Sequence, residues 1–203
     1  MSTNVFAVCV FVYAHTVSHP IPTAFGTPRG GLYTLILSDL KIEIRPMSSS
    51  DWPSVAEIYR QGIETRNATF ETTVPDWEYW HSAHIEICRF VAIADNFIAG
   101  WAALVPVSRR KVYSGVAEVS IYIADGYKGT GIGGKLLEKL ISESEEEGFW
   151  TLQAVMFPEN SASIKLHESL GFRKVGFRER IGNQDGIWRD TLLLERRSTV
   201  IGT

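Results

Sequence analysis

Gly129, Gly131, Gly133 and Gly134 crowd into the run GTGIGG and lead straight into the helix-forming sequence KLLEKLI. A loop that offers bare backbone N–H groups at a helix N-terminus is an anion site, because the unpaired amides and the helix dipole both favour negative charge. The anion expected here is a phosphate. Just upstream, Ala117, Val119, Ile121 and Ile123 alternate with Glu118, Ser120 and Tyr122, the period of a β-strand with two unlike faces. A mid-strand carboxylate is costly to bury without a partner, and burial raises its pKa toward a range useful to a general base. A solvated strand face is the alternative for the same residue. In NSASIKLHESLGF, His167 is a proton carrier or a histidine satisfied by a neighbour, and Asn160 is a hydrogen-bonding side chain or a helix N-cap. Arg109, Arg110 and Lys111 form the tightest basic cluster, and an arginine fork suits a carboxylate.

Spacing separates the phosphate chemistries. Read as G-x-x-x-x-G-K-[ST], the run supplies Gly129, Gly134 and Lys135, but Leu136 stands where a hydroxyl must hold magnesium. Read as G-x-G-x-x-G, it supplies Gly129, Gly131 and Gly134. A dinucleotide fingerprint should directly follow the first strand of a parallel βαβ unit, whereas here Asp125 to Lys128 intervenes and antiparallel strands come before. A plain turn leaves the crowding of four glycines before a helix unexplained.

The elements that must position these groups are legible in order. KIEIR (Lys41 to Arg45) alternates as a first strand, and SSSDWP starts a helix with Pro53 in its first turn and Val55, Ile58 and Tyr59 on one face. Asn67 to Pro75 is a loop. Asp76 caps a second helix, predicted to run to about Ile87, with Trp77, Trp80 and His84 at helical spacing. Phe90 to Ala94 and Phe97 to Leu104 form a hairpin through Asp95-Asn96, and Val116 to Ala124 is the next strand. After the glycine loop, Leu136, Leu137, Leu140 and Ile141 form the stripe of a helix ending at Gly148. Trp150 to Phe157 is a strand, Asn160 or Ser161 caps a short helix that stops at Gly171, and Phe172 to Phe177 and Trp188 to Leu194 are strands joined through a turn-rich Gly182 to Gly186. The order β-α-α-β-β-β-α-β-α-β-β predicts an α+β fold with a mixed, mostly antiparallel central sheet flanked by helices.

With 203 residues, 45% hydrophobic and 21% charged, the chain reads as one globular domain. The domain is expected over residues 41–197, after a poorly ordered extension (1–40) and before a short tail (198–203). The extension's apolar run, Val5 to Tyr13, is too short to span a bilayer, and no positive residue precedes it as a secretory signal requires. Lys and Arg total 20 against 23 Asp and Glu, a net −3 with no general attraction for nucleic acid or an anionic membrane. Cys9 and Cys88 match no zinc spacing and no disulfide scaffold, and a reducing, cytoplasmic compartment is expected. His81 and His84 lack a third ligand for a metal, and ESEEE (Glu143 to Glu147) reads as a solvated helix end.

The stretch Glu118 to Leu137, EVSIYIADGYKGTGIGGKLL, resembles the acetyl-CoA signature of the GNAT superfamily of N-acetyltransferases. That signature is Arg or Gln, two residues, Gly, one residue, then Gly or Ala, and Lys128, Gly131 and Gly133 occupy those places. Lys128 keeps the cation but loses the planar fork. Asn160 to Phe172 is similar to the family's downstream cofactor helix. ATFETTVP (Ala68 to Pro75), SRRKVYSGVAEVSIYI (Ser108 to Ile123), SIKLHESLGF (Ser163 to Phe172) and GIWRD (Gly186 to Asp190) resemble the phosphinothricin and methionine sulfoximine N-acetyltransferases within that superfamily. The similarity covers about residues 42–195.

The resemblance implies the acyl-CoA N-acyltransferase fold, acetyl-CoA as co-substrate, no metal, a small amino-acid-like amine as acceptor and a homodimer. It implies that Lys128, Gly129, Thr130, Gly131, Ile132, Gly133, Gly134 and Asn160 hold the cofactor, with the main chain of Ile121, Tyr122 and Ile123 pairing along its pantetheine arm. Glu118 is then the general base, directly or through a water, and His167 protonates the thiolate or lies on a proton path. Phe70, Glu71, Ser108, Arg109, Arg110, Tyr113, Ser120 and Trp188 are the implied acceptor-pocket residues, although a basic residue is common in that group near the place of Ser108. An acetyltransferase for a protein amine and a CoA-binding sensor without turnover remain the alternatives.

Overall fold

The computed structural model describes residues 40–202, so the expected extension, its apolar run and Cys9 lie outside the described residues. Strands β1 (Ile42–Pro46), β2 (Phe90–Ala94), β3 (Phe97–Pro106) and β4 (Val116–Ile123) form an antiparallel meander. Asp95 and Asn96 turn the β2–β3 hairpin at φ 52° and 67°, the left-handed pair that matches strand twist and that these two residue types tolerate. Helix α3 (Ile132–Glu146) then crosses to β5 (Thr151–Met156), which lies parallel to β4. After α4 (Ser161–Ser169), β6 (Arg173–Gln184) and β7 (Ile187–Arg197) return as a hairpin, with β7 inserted beside β5. The sheet order is β1-β2-β3-β4-β5-β7-β6, a seven-stranded sheet of the expected α+β class.

The alternation in β4 divides the interior into two layers. Ala117, Val119, Ile121 and Ile123 face α3, against Leu136, Leu137 and Leu140. Tyr122 faces the other way, onto Val55, Ile58 and Tyr59 of α1 (Trp52–Glu64) and Trp80 of α2 (Trp77–Ala83). Each fully buried leucine contributes roughly 1.5–3 kcal/mol relative to exposure, so the two layers hold the sheet between helices from both sides. The start of α1 is tied to β1 by a two-point ion pair between Arg45 and Asp51 at 2.7 and 2.8 Å, and Asp51 also accepts from the Ser48 amide. These partners hold the Asp51 carboxyl down at about 2.

Two expectations are corrected. Helix α2 ends at Ala83 rather than near Ile87, because the Arg89 guanidinium takes the carbonyls of His81, His84 and Ile85, and the Ile85 amide leaves to donate to Leu104. Strand β6 continues through Gln184, so the turn is only Asp185-Gly186, at φ 53° and 84°. The Gln184 amide donates to the Thr69 carbonyl at 2.9 Å, a pairing 115 residues apart that local turn chemistry does not show. Residues 198–202 fold back on the domain, with the Ser198 amide donating to the Trp150 carbonyl and Arg197 bonding the carbonyls of Trp150 and Ile201.

Candidate active site

The two edges of β4 differ. On one side it pairs with β3 from Gly100↔Ile123 to Pro106↔Ala117. On the other, only Val116, Ala117 and Glu118 find partners, in Thr151, Leu152 and Gln153. Beyond them β5 goes on pairing with β7, through Met156↔Leu192, and no described strand joins β4 along Val119 to Ile123. The sheet is therefore split at a seam, and Ile121, Tyr122 and Ile123 stand at its mouth.

The glycine loop closes the same end. Gly126, Gly129 and Gly131 have φ of 71°, 79° and 86°, and Gly131 is the N-cap residue of α3. A Cβ built at Gly129, Gly131 or Gly134 would meet nothing within 4 Å. Packing therefore does not select glycine here. The left-handed turn requires it at 129 and 131, and the bare backbone leaves approach open to an anion. Ile132 is fully buried and anchors the first turn in the core, so only its backbone faces the site. Lys128 is ion-paired with Asp125, and the Thr130 hydroxyl donates to the Tyr127 carbonyl at 2.6 Å. Both are bound up in holding the loop.

At the root of the seam, Glu118 is 9% exposed and its Oε1 has no hydrogen-bond partner. Burial pushes its carboxyl up to about 8, against an opposing pull from the Arg178 charge. The Ser120 hydroxyl, two residues on along the same face, is likewise buried without a partner. The solvated alternative for Glu118 is thus excluded by its burial.

His167 is fully buried, its ring edge-on to Phe172 with centroids 4.8 Å apart. Its Nδ1 lies 3.0 Å from the Ser163 carbonyl, which can only accept, so Nδ1 carries the proton and the unpartnered Nε2 offers a lone pair. Burial pushes the imidazole down to about 4, so a charged ring able to hand a proton from Nε2 is disfavoured. One ring nitrogen is thus satisfied by a neighbour, and direct protonation of a thiolate is the expected role that this geometry disfavours. Asn160 is the N-cap of α4, its Oδ1 accepting from Ser163 at 3.3 Å, and its Nδ2 donates to the Asn67 carbonyl.

The acceptor-side residues divide. The segment 67–75 is laid over the sheet by Gln184, by Arg189 donating to the Arg66 carbonyl at 2.8 Å, and by Phe70 packing edge-on to Phe157 at 4.9 Å. A Cβ at Gly182 would stand 2.5 Å from the Phe70 ring, so the absence of a side chain there admits the phenyl group. Glu71 follows on the same segment, its carboxyl raised by burial. Ser108, Arg109, Arg110 and Tyr113 lie in the loop that joins β3 to β4 at the Glu118 end. Ser108 accepts from the Arg110 amide at 3.2 Å, and the Arg110 guanidinium sits 5.9 Å from the Tyr113 ring centre. Trp188 is not brought to this group: it pairs across from Asn183 beside the β6–β7 turn and is 61% exposed. His81 and His84 pack on Trp77 and Trp80, His84 at 4.0 Å and held neutral, at about 4, by burial.

Two residues absent from the sequence-level expectations belong here. Thr191 is 1% exposed with an unpartnered Oγ1, and Arg178 pairs across from it. The run TLLLE masks the alternation of β7, so no local signal marks Thr191 as inward-facing. A buried carboxyl of raised pKa at the root of an open strand edge, with an anion loop at its mouth, can take a proton from a nucleophile beside a phosphate-bearing co-substrate.

Residues 52–172 match the model of the acetyltransferase (GNAT) family. The chain is 28% identical to a phosphinothricin N-acetyltransferase of Streptomyces viridochromogenes, over 76% of this chain and 87% of that protein. It is 26% identical to an L-methionine sulfoximine/L-methionine sulfone acetyltransferase of Pseudomonas paraeruginosa, over 77% and 94%. Among solved structures, a GNAT superfamily phosphinothricin acetyltransferase from Sinorhizobium meliloti in complex with AcCoA superposes with a TM-score of 0.71 at 30% identity, covering 77% of this chain and 88% of that one.

Proposed function

This chain belongs to the acetyltransferase (GNAT) family, and we propose that it transfers an acetyl group from acetyl-CoA to the amine of a small amino-acid-like acceptor of the phosphinothricin or methionine sulfoximine type. The observation that carries the proposal is the seam: an unpaired stretch of β4 running from a buried Glu118 to a glycine loop whose backbone lies open. The amides of Gly129 to Gly134 hold the pyrophosphate, and the main chain of Ile121 to Ile123 receives the pantetheine arm as a further strand would lie. Acetyl-CoA supplies the activated acyl carbonyl when bound. Ionised Glu118 takes a proton from the acceptor nitrogen, directly or through a water, and a carboxyl with a pKa of about 8 matches an amine in basicity better than an ordinary carboxylate does. His167 Nε2, as a lone-pair acceptor, orients a water on the path that brings a proton back to the departing thiolate, the ring itself staying neutral. Phe70, Glu71 and Ser120 line the acceptor side, with Arg109, Arg110 and Tyr113 at its rim.

Val175, Phe177, Ile181, Ile187 and Trp188 are apolar side chains left exposed on the β6–β7 ribbon, each between 37% and 65% accessible, and Phe177 and Trp188 share one face of it. A second copy of the chain covers this face in the homodimer we propose, which gives Trp188 a use at a subunit interface. Among the described residues no helix is long and apolar enough to cross a membrane. A cytoplasmic location and detoxification of amino-acid analogues complete the proposal.

Acetyl-CoA consumption by the purified protein, with phosphinothricin, methionine sulfoximine, methionine sulfone and an unrelated amine panel in parallel, tests it. Turnover on the first three is expected. Turnover on other amines alone overturns the acceptor assignment, and acetyl-CoA binding without any turnover replaces an enzyme with a sensor.

A further inference from the structure

Every arginine of the β6–β7 ribbon but one is engaged. Arg173 pairs with Glu195 at 2.8 Å, Arg189 with Glu159 at 3.2 Å and Arg196 with Glu145 at 2.9 Å. Arg180 lies 3.8 Å from Glu179, and Arg197 donates to the Trp150 carbonyl at 2.7 Å. The Arg178 guanidinium has no ion pair or hydrogen bond among the described residues, although the residue is half-buried. A guanidinium partly removed from water and left without an acceptor is costly unless something else completes it.

The register shows where Arg178 stands. Leu192 and Leu194 of β7 pack toward α3 and α4, which turns Thr191 and Leu193 to the opposite face. Arg178 is the cross-strand partner of Thr191, and Val155 the partner of Leu193, while Gln153 of β5 is the partner of Glu118. Glu118, Val155, Thr191 and Arg178 therefore share one sheet face. Phe157, under Phe70, continues it. Between Glu118 and Arg178 the neighbour of Leu193 on β6 is Gly176, which adds no side chain to obstruct the space between them. The Arg178 charge acts on Glu118 across this space without bonding to it. Beside Arg178, the buried and unpartnered Thr191 hydroxyl supplies a second donor.

We infer that Arg178, with the Thr191 hydroxyl, binds an oxyanion of the acceptor and so selects acidic amines over neutral ones. The inference rests on the acceptor reading above and names the chemical feature that the acceptor must carry. A molecule with its amine at Glu118 and an acid group at Arg178 spans two complementary charges on one sheet face. Its carboxylate or phosphinate completes the guanidinium with charge-assisted hydrogen bonds. Arg109 and Arg110, exposed on their loop, interact in high dielectric and discriminate less.

The test compares wild type with Arg178→Met, Arg178→Lys and Thr191→Val on three acceptors at saturating acetyl-CoA: phosphinothricin, methionine sulfone and the α-carboxamide of methionine sulfone. Wild type is expected to favour acid acceptors. Arg178→Met should raise the acceptor KM by about 10- to 100-fold, leave the KM for acetyl-CoA unchanged and erase the preference, with partial recovery in Arg178→Lys and a smaller loss in Thr191→Val. Preference lost between methionine sulfone and its carboxamide assigns the α-carboxylate to Arg178. Preference lost between phosphinothricin and methionine sulfone assigns a side-chain oxyanion. Either supports the inference. A wild-type acceptor KM and preference in Arg178→Met overturns it while leaving acetyl transfer intact, whereas a wild type that uses no amino-acid acceptor overturns both. Arg178→Lys keeps the charge and carries the comparison if the methionine variant fails to fold.

Discussion

Along its β3 edge, β4 is paired from Ala117 to Ile123, whereas along its β5 edge pairing stops after Glu118↔Gln153. The closed seam is packed to its limit: a Cβ at Gly100 would stand 2.7 Å from Ile123 Cδ1 and 2.9 Å from the Tyr122 carbonyl oxygen. The open seam gives up ladder hydrogen bonds and leaves Glu118 and Ser120 with unpartnered atoms. One strand thus spends one edge on stability and the other on a site, and the polar groups that folding leaves unsatisfied are those a ligand can satisfy.

The largest effect that should divide the two edges is chemical. Glu118→Gln is expected to lower kcat/KM by roughly 10²- to 10⁴-fold while the affinity for acetyl-CoA stays at the wild-type level. In wild type, kcat/KM should climb with pH and level off above about pH 8, where Glu118 is ionised, and this limb should vanish in the variant. A limb that survives Glu118→Gln assigns the base elsewhere.

Next comes the mouth of the seam. Gly131→Ala places a methyl group at φ 86°, where it meets no protein atom but stands above the anion loop. Equilibrium binding should show acetyl-CoA weakened by about tenfold or more, alongside a stability cost of about 1–2 kcal/mol from forcing an L side chain into the left-handed region. Wild-type affinity in this variant would separate the glycine loop from the cofactor.

The smaller effects are on stability and have opposite signs. The folded protein holds the Glu118 proton up to about pH 8, while the unfolded chain releases it near 4.5. A raised carboxyl pKa makes this residue increasingly destabilising as pH rises through that window, and the cost is absent below it. Glu118→Gln should therefore be more stable than wild type near pH 7 by on the order of 1 to 3 kcal/mol, with the advantage fading toward pH 4, as read by denaturant unfolding across pH. On the closed seam, Gly100→Ala should cost about 1–3 kcal/mol through overpacking against backbone, with acetyl-CoA affinity unchanged in the molecules that remain folded.

Local sequence was enough for most elements and for half of the site. Asp76 and Asn160 cap their helices as their side chains and positions require, each accepting from the backbone amide three residues on. Asp95-Asn96 turns its hairpin, and the β4 alternation sorts Glu118 from Val119 onto opposite faces. What escaped were features set by partners far along the chain. Arg89 ends α2 by reaching back to His81, and Gln184 extends β6 because Thr69 is there to accept from it. Trp188 is an acceptor-pocket residue only by resemblance to the family, and β-register places it at the exposed end of the ribbon.

By itself the sequence determined the glycine loop at the start of α3, the carboxylate in mid-strand and the order of helices and strands, since each depends on side-chain type and period within about ten residues. Only the tertiary structure decided that β7 lies beside β5, that β4 and β5 part after Glu118, and that Arg178 and Thr191 share a face with it. The physical reason is that strand pairing and burial are non-local. The backbone groups of β4 are identical on both edges, and whether they find a partner, and whether a carboxyl among them keeps its proton to pH 8, depends on where distant strands come to rest.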